Sequence, residues 1–304
     1  MDFTLVRNGM DYLSSAVLYL TGSIKVEADA GSLWPEATEM RTVWPAPGGW
    51  ISDRYLKYGV LHLQAATEVL LKARLVREHW SLVFKEPGSA KRSDYEQGKF
   101  ESCGTTAALH RLVHIVGIPI SDAERAAITK LSETRNALTH YGHKANAYAV
   151  EARAADVLSF LVDFVPRHLQ PALSKDAEQV GTTMGAVREK LWEIQALVKT
   201  RAKNLTSDLD QVAERTVNCP SCRQMALVVG ESPVACRFCL RTFETPLDAA
   251  VAYWEDILDE DDSIGVEDCP VCKEHGVMRV ATRAEPIVDA ALCFHCGVLY
   301  TEKV

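Results

Sequence analysis

The feature that most limits what this chain can fold into is a set of four Cys-x-x-Cys pairs in its last third. Cys219-Pro-Ser-Cys222 and Cys236-Arg-Phe-Cys239 are separated by 13 residues that include the strand-like run Leu227-Val228-Val229. Cys269-Pro-Val-Cys272 and Cys293-Phe-His-Cys296 are separated by 20 residues that include Val277-Met278-Arg279-Val280. Thiolate pairs on turns between short strands are the ligand pattern of a four-cysteine zinc ribbon. Each set carries its own hairpin, so sequential sets are expected rather than cross-braced ones. Four thiolates complete a tetrahedral zinc and leave no position for water, which makes the two expected Zn2+ ions structural and not catalytic. Redox-active pairs are the competing reading, and four of them in one β-rich tail argue against it. Thiolate ligands also require a reducing compartment, so the chain is expected to be cytoplasmic.

The 304 residues leave room for two or three units, and 47% hydrophobic with 24% charged residues describes a folded chain rather than a disordered one. The opening Met-Asp-Phe-Thr-Leu-Val-Arg has no basic and apolar signal pattern, and no apolar run approaches the ~20 residues of a membrane span. A net charge of −8 argues against a broad, non-specific nucleic-acid surface, because such surfaces neutralise phosphates with Lys and Arg. A local basic patch could still form from Lys72, Arg74, Arg77, Lys91, Arg92 and Lys99. Residues 255–268 hold eight acids and no base, the composition of a solvated linker.

Ahead of the cysteines the chain reads as helices. The first covers 3–20, and a loop rich in Pro and Gly follows over 29–51 with Trp34, Trp44 and Trp50. Those rings are expected to pack over the helices, with a base-stacking platform as the sharper alternative. A long helix to about Phe84 carries Leu56, Val60, Leu63, Ala66, Leu70, Ala73 and Val76 at steps of three and four. A helix over about 105–116 comes next. Ser121 and Glu124 form a capping box for another that ends near Gly142, and a fifth spans about 147–169. Over 174–216, Val180, Met184, Val187, Leu191, Ile194 and Val198 form a heptad seam. As one helix it would reach about 64 Å. It reads as a stalk, a coiled-coil dimer element or a helix folded back on its own bundle, with a break near Arg201 where the seam changes phase.

The chemistry-bearing stretch is Arg135-Asn136-Ala137-Leu138-Thr139-His140. Arg offers a fixed fork of donors for phosphate oxygens, and His exchanges a proton near neutral pH. These are the groups a metal-free phosphodiester cleavage needs. Alone the pair is weak, and its bland alternative is an Arg135 ion pair with Glu133 or Glu151 beside a helix-end histidine. Five residues at ~100° place the two side chains about 140° apart, so the pair would work best across a two-fold dimer axis.

The helix Leu63-Gln-Ala-Ala-Thr-Glu-Val-Leu-Leu-Lys-Ala-Arg-Leu75, followed by a helix bearing Arg135-Asn136-x-x-x-His140, resembles the HEPN family over roughly residues 1–170. The resemblance implies a helical bundle that dimerises through its own helices, and a metal-independent endoribonuclease of toxin or antiphage type. It implies RNA as substrate, 2′-hydroxyl attack leaving a 2′,3′-cyclic phosphate and a 5′-hydroxyl, and a cognate antitoxin or regulatory protein as a further partner. His140 would then move protons, Arg135 would stabilise the phosphorane, and Asn136 would orient phosphate or imidazole. No metal would serve catalysis. The tandem ribbons fall outside the resemblance and would recognise RNA or a partner.

The expected architecture is mainly α: a bundle over 1–172, a heptad-patterned helix or stalk over 173–217, one ribbon over 218–245, and an acidic linker with the second ribbon over 246–304. The function class opposed to the nuclease is a non-enzymatic binding or assembly module. Among other candidates, His110 and His114 share a helix face but lack a third ligand, and Glu68 with Lys72 reads as a helix ion pair. Tyr141 and His143 flank the motif, and nothing marks Cys103 as a nucleophile.

Overall fold

Thr4 opens the first helix, α1 (Leu5–Thr21), by accepting a hydrogen bond from the Arg7 amide, and Gly22 closes it in the left-handed region at φ 67. The computed structural model describes residues 4–22, 53–140, 146–170, 177–258, 266–286 and 290–300. The tryptophan loop and Tyr141, Gly142 and His143 therefore lie outside the described residues. Two compact units make up the chain, Met1–Leu158 and Ser159–Val304.

In the first unit, α1 packs against α2 (Asp53–Glu78). Val6, Met10, Leu13, Val17 and Leu20 of α1 are buried, as are Leu56, Val60, Leu63, Leu70 and Leu71 of α2. The approach is close because of two glycines. A Cβ on Gly9 would lie 2.6 Å from Leu70 Cδ2, and one on Gly59 would lie 2.8 Å from Leu20 Cδ2.

The helix expected to reach Phe84 stops at Glu78. His79 is extended and accepts from the Ser81 amide, opening a 3-10 turn over Trp80–Val83. The apolar run past Glu78 turns aside to build an aromatic cluster instead. Phe84 and Phe100 stack with centroids 4.2 Å apart, and Tyr95 lies 5.7 Å from Trp80. Residues 88–102, polar by composition, thus contribute a short helix α3 (Arg92–Glu96) and two aromatic anchors. Arg111 of α4 (Thr105–His114) ties the segment down, donating to the Leu82, Phe84 and Lys85 carbonyls at 2.6, 2.6 and 2.9 Å.

The Ser121–Glu124 capping box forms, with Ser121 N to Glu124 Oε2 at 2.7 Å and Glu124 N to Ser121 Oγ at 3.2 Å. It opens α5 (Asp122–His140), which buries Ile128, Leu131 and Thr134. α6 (Ala147–Phe164) follows and buries Val150, Ala154, Val157 and Leu158. Pro166 has no N–H to give to the ladder, and the backbone widens into a π turn over Val165–Leu169.

In the second unit the heptad stretch is two helices, α7 (Ala177–Lys190) and α8 (Gln195–Asp210). The break falls on a 3-10 turn at Leu191–Glu193 and an extended Ile194, not near Arg201. Val180, Met184, Val187, Leu191 and Ile194 are buried by the chain itself, whereas Val198 is half-buried and Leu197 takes the inward place. Arg201 changes the phase of the seam because it takes an inward position without breaking the helix. Only 3% exposed, it donates to Ser159 O and Oγ at 3.0 Å each and to Asp163 Oδ1 at 2.9 Å. Its guanidinium lies 5.4 Å from the Phe238 ring centroid.

Two antiparallel four-stranded sheets end the chain. The first has the order β1 (Thr216–Asn218), β2 (Met225–Val228), β3 (Val234–Cys236), β4 (Thr242–Phe243), with Leu227 opposite Cys236. The second repeats it with β5 (Glu267–Asp268), β6 (His275–Val280), β7 (Ala290–Cys293) and β8 (Leu299–Tyr300), with Val277 opposite Cys293. Between them the expected linker holds a helix, α9 (Pro246–Tyr253), opened by a Thr245–Asp248 capping box. Gly230 and Gly297, both at positive φ, let the two ribbons touch: a Cβ on Gly230 would lie 2.6 Å from the Gly297 Cα. The Gly230 amide donates to Phe294 O at 3.1 Å and the Arg283 amide to Thr216 O at 2.8 Å.

The architecture is a mainly helical body followed by small ribbon-like β modules, as the pattern of the sequence predicts. Among the described residues, no helix is long and apolar enough to cross a membrane. Removing Arg201 deletes a buried cation together with its four hydrogen bonds and its ring contact. Arg201→Ala is expected to cost about 3 kcal/mol of stability, seen as a lower urea midpoint, and an unchanged midpoint would contradict this role.

Candidate metal centres and the Arg135–His140 motif

Each Cys-x-x-Cys pair folds into the same turn. The residue after the second cysteine adopts the left-handed backbone in all four: Arg223 (φ 58), Leu240 (φ 60), Lys273 (φ 66) and Gly297 (φ 70). Its amide closes the turn onto the carbonyl of the first cysteine, at 2.9 Å each time. Three of these positions carry side chains, and the left-handed region costs each about 1 kcal/mol. Amides also point at sulfur: Cys239 N lies 3.5 Å from Cys236 Sγ, Cys272 N 3.4 Å from Cys269 Sγ, and Cys296 N 3.5 Å from Cys293 Sγ. Such bonds favour a thiolate acceptor.

The turns bring the cysteines together in sequential sets, Cys219, Cys222, Cys236 and Cys239 in one and Cys269, Cys272, Cys293 and Cys296 in the other. In each set the ligand atoms all lie within 4.8 Å of one another. The closest sulfurs are 3.7 and 3.8 Å apart in the first set and 3.7 Å apart in the second. That is far longer than a disulfide, at about 2.05 Å. It matches the edge of a tetrahedron, about 3.8 Å for metal–sulfur bonds of 2.3 Å. Each set could hold one metal ion, and four sulfurs would fill its coordination sphere.

The two centres differ in their surroundings. All four cysteines of the first are buried, whereas Cys272 and Cys296 of the second are half-buried. Burial pushes the Cys236 thiol well above its ordinary value, so it is a bound cation that would favour thiolate there. Arg188 of α7 donates from Nε to Cys239 O at 2.9 Å, and burial lowers its pKa from the usual arginine value. In the second centre the Tyr300 hydroxyl stands 3.0 Å from Cys269 Sγ. That contact pushes the tyrosine up to about 12, which keeps it a donor at neutral pH.

The Arg135–His140 motif occupies the C-terminal turns of α5. Thr134 points inward and is buried, Arg135 is half-buried beside it, and Asn136 and His140 are exposed. Arg135 Nη1 donates to Asn136 Oδ1 at 2.9 Å, and Thr139 Oγ1 donates to Arg135 O at 2.7 Å. The structure thus joins Arg135 with Asn136, while His140 stands about one and a half turns further on. Among the described residues Arg135 forms no ion pair with Glu133 or Glu151. Sequence reasoning misses a neighbour: the exposed Arg153 of α6 donates from Nη1 to Thr134 Oγ1 at 2.8 Å, placing a second guanidinium beside the motif. No local pattern announces it, because the two residues meet only through helix packing.

Other candidates fall into structural roles. The His110 and His114 rings lie 4.4 Å apart on an exposed face, and no third ligand joins them among the described residues. Cys103 is buried with Sγ 3.8 Å from Leu82 O, and burial pushes its thiol up, away from nucleophilic character. Members of the suggested basic patch are largely committed elsewhere. Lys72 binds Glu68 at 2.6 Å and Ser102 at 2.9 Å, Arg74 binds Glu78, Arg92 binds Glu96, and Lys99 binds Gln97.

No protein-family model matches the chain, and neither a curated protein nor a solved structure matches it. The difference in burial between the two centres sets an order of metal loss. With a coloured chelator in excess, the second centre is expected to empty about ten times faster than the first, giving two equal phases. Cys272→Ser should remove the fast phase. A single phase from the intact chain would contradict the difference.

Proposed function

We propose that this chain is a metal-independent endoribonuclease whose active groups are Arg135, Asn136 and His140, with two structural Zn2+ ions in the ribbons. The observation that carries the reading is Arg135 itself. Its guanidinium is held by the neighbouring Asn136 and carries no carboxylate among the described residues, so its remaining donors suit a phosphate. Exposed His140 follows on the same helix. Zinc suits the ribbons because it accepts a closed four-thiolate sphere.

On this reading His140 takes the proton of a ribose 2′-hydroxyl, and the 2′-oxygen attacks the adjacent phosphorus. The bond from phosphorus to the 5′-oxygen breaks, and that oxygen takes the proton now on His140, leaving a 2′,3′-cyclic phosphate, a 5′-hydroxyl and a neutral imidazole. Arg135 stabilises charge growing on the non-bridging oxygens. Arg153, one helix away, holds the flanking phosphate. Since the motif residues diverge around α5, a homodimer formed through the helical unit supplies Arg135 from one protomer and His140 from its partner. A toxin- or defence-type nuclease of this kind acts in a reducing compartment, the cytoplasm, and is restrained by a cognate regulatory protein.

The second reading is a binding or assembly module with ribbons that dock protein or nucleic acid. The net charge of −8 and the internal pairing of Lys72, Arg74 and Arg92 favour it. The two readings separate on incubation with RNA without added divalent metal. The nuclease cleaves, and Arg135→Ala and His140→Ala each lose about 100-fold or more. Arg153→Ala raises KM about tenfold and changes kcat less. Undiminished cleavage in either motif variant would sink the assignment, and no cleavage by the intact chain would favour the binding module.

A further inference from the structure

The second unit contains a cavity of about 530 Å³ between α7 and the first ribbon. That volume lies in the range that holds a nucleotide-sized molecule. Gly181 and Gly185 of α7 form one wall without side chains, and Arg188, Glu189, Ser221 and Arg241 project around it. We propose that this cavity binds the phosphate of a nucleotide-sized ligand, gripped by Arg188 and Arg241.

Both cations are fixed in place before any ligand arrives. Arg188 is anchored through Nε on the Cys239 carbonyl, and among the described residues nothing engages its two Nη groups. Arg241 donates to the Ser221 hydroxyl, and its guanidinium lies 4.8 Å from the Phe243 ring centroid. No ion pair joins either guanidinium to a carboxylate among the described residues, Glu189 included. Two like charges converging on one cavity repel each other, and a phosphate relieves that repulsion while taking several donors in a planar array. Glu189 stands at the exposed side of α7, where it accepts from a sugar hydroxyl.

The geometry also depends on the first metal centre. Ser221 lies between Cys219 and Cys222, and Arg241 follows Leu240, the left-handed residue that closes the Cys236–Cys239 turn. The competing account is that both arginines only offset the negative charge of a four-thiolate centre. That account needs no cavity beside them and predicts no ligand.

Calorimetric titration of the metal-loaded full chain distinguishes the two. Adenosine 5′-monophosphate and inorganic phosphate are expected to bind saturably, and adenosine without phosphate is not. Arg241→Gln should weaken binding at least about tenfold. Gly185→Leu is the second variant: nothing lies within 4 Å of a Cβ there, so the side chain fills the cavity and adds helix propensity. It should abolish binding while both metals and the unfolding temperature are retained. Short RNA with a 5′-phosphate, compared with the same RNA ending in 5′-hydroxyl, identifies the source of the phosphate. Binding confined to the phosphorylated strand assigns an RNA end, and binding of the free nucleotide alone assigns a small ligand. Absence of saturable binding by every phosphate probe, or binding unchanged by Gly185→Leu, would overturn the site. RNA cleavage by the helical unit is a separate readout, so either reading can fail without the other.

Discussion

The two β modules of the second unit are organised around eight sulfurs gathered into two four-cysteine clusters. Their strands run from two to six residues and bury small clusters in which the cysteines take part, such as Val277 with Cys269 and Cys293. The turns that present the sulfurs hold three side-chain-bearing residues in the left-handed region, a conformation they would leave without a constraint. A metal ion held by each set would supply that constraint, by joining sulfurs whose closest pairs lie 3.7–3.8 Å apart. The rest of the unit follows from the fixed turns. Gly230 meets Gly297, Tyr253 of α9 packs edge-on to Phe294 at 5.8 Å, and Arg188 finds the Cys239 carbonyl.

The helical unit needs no such device. Gly9 and Gly59 bring α1 and α2 into close contact, and the leucines of both helices lie between them. α5 then takes its orientation from Ile128, Leu131 and Thr134, which face inward. That orientation places Arg135 on the flank and His140 on the exposed last turn. Four sulfurs around each ion would leave no open coordination position in either centre.

Local signals in the sequence translate directly into structure here. The Ser121–Glu124 box, the three- and four-residue steps of α2 and the spacing of the cysteines each depend on residues close in the chain, and each appears as expected. Long-range packing is where reading by pattern fails. Arg201 looks like a helix break because the seam changes phase there, yet the helix runs on and Ser159, Asp163 and Phe238 receive its side chain. The aromatic residues after Glu78 look like more helix, yet they turn to meet Tyr95 and Phe100. The capping box of α9 is hidden by the acidic run behind it. Arg135, Asn136 and His140 are visible as a local motif, whereas Arg153 reaches Thr134, the neighbour of Arg135, from the next helix.

The central claim is that Arg135 and His140 act together, one from each protomer. Mixing Arg135→Ala chains with His140→Ala chains, each inactive alone, tests it most directly. Random pairing makes half of the dimers mixed, and each mixed dimer keeps one intact site, so roughly a quarter of the native RNA-cleaving activity should return. A mixture that stays as inactive as its two components would contradict the account.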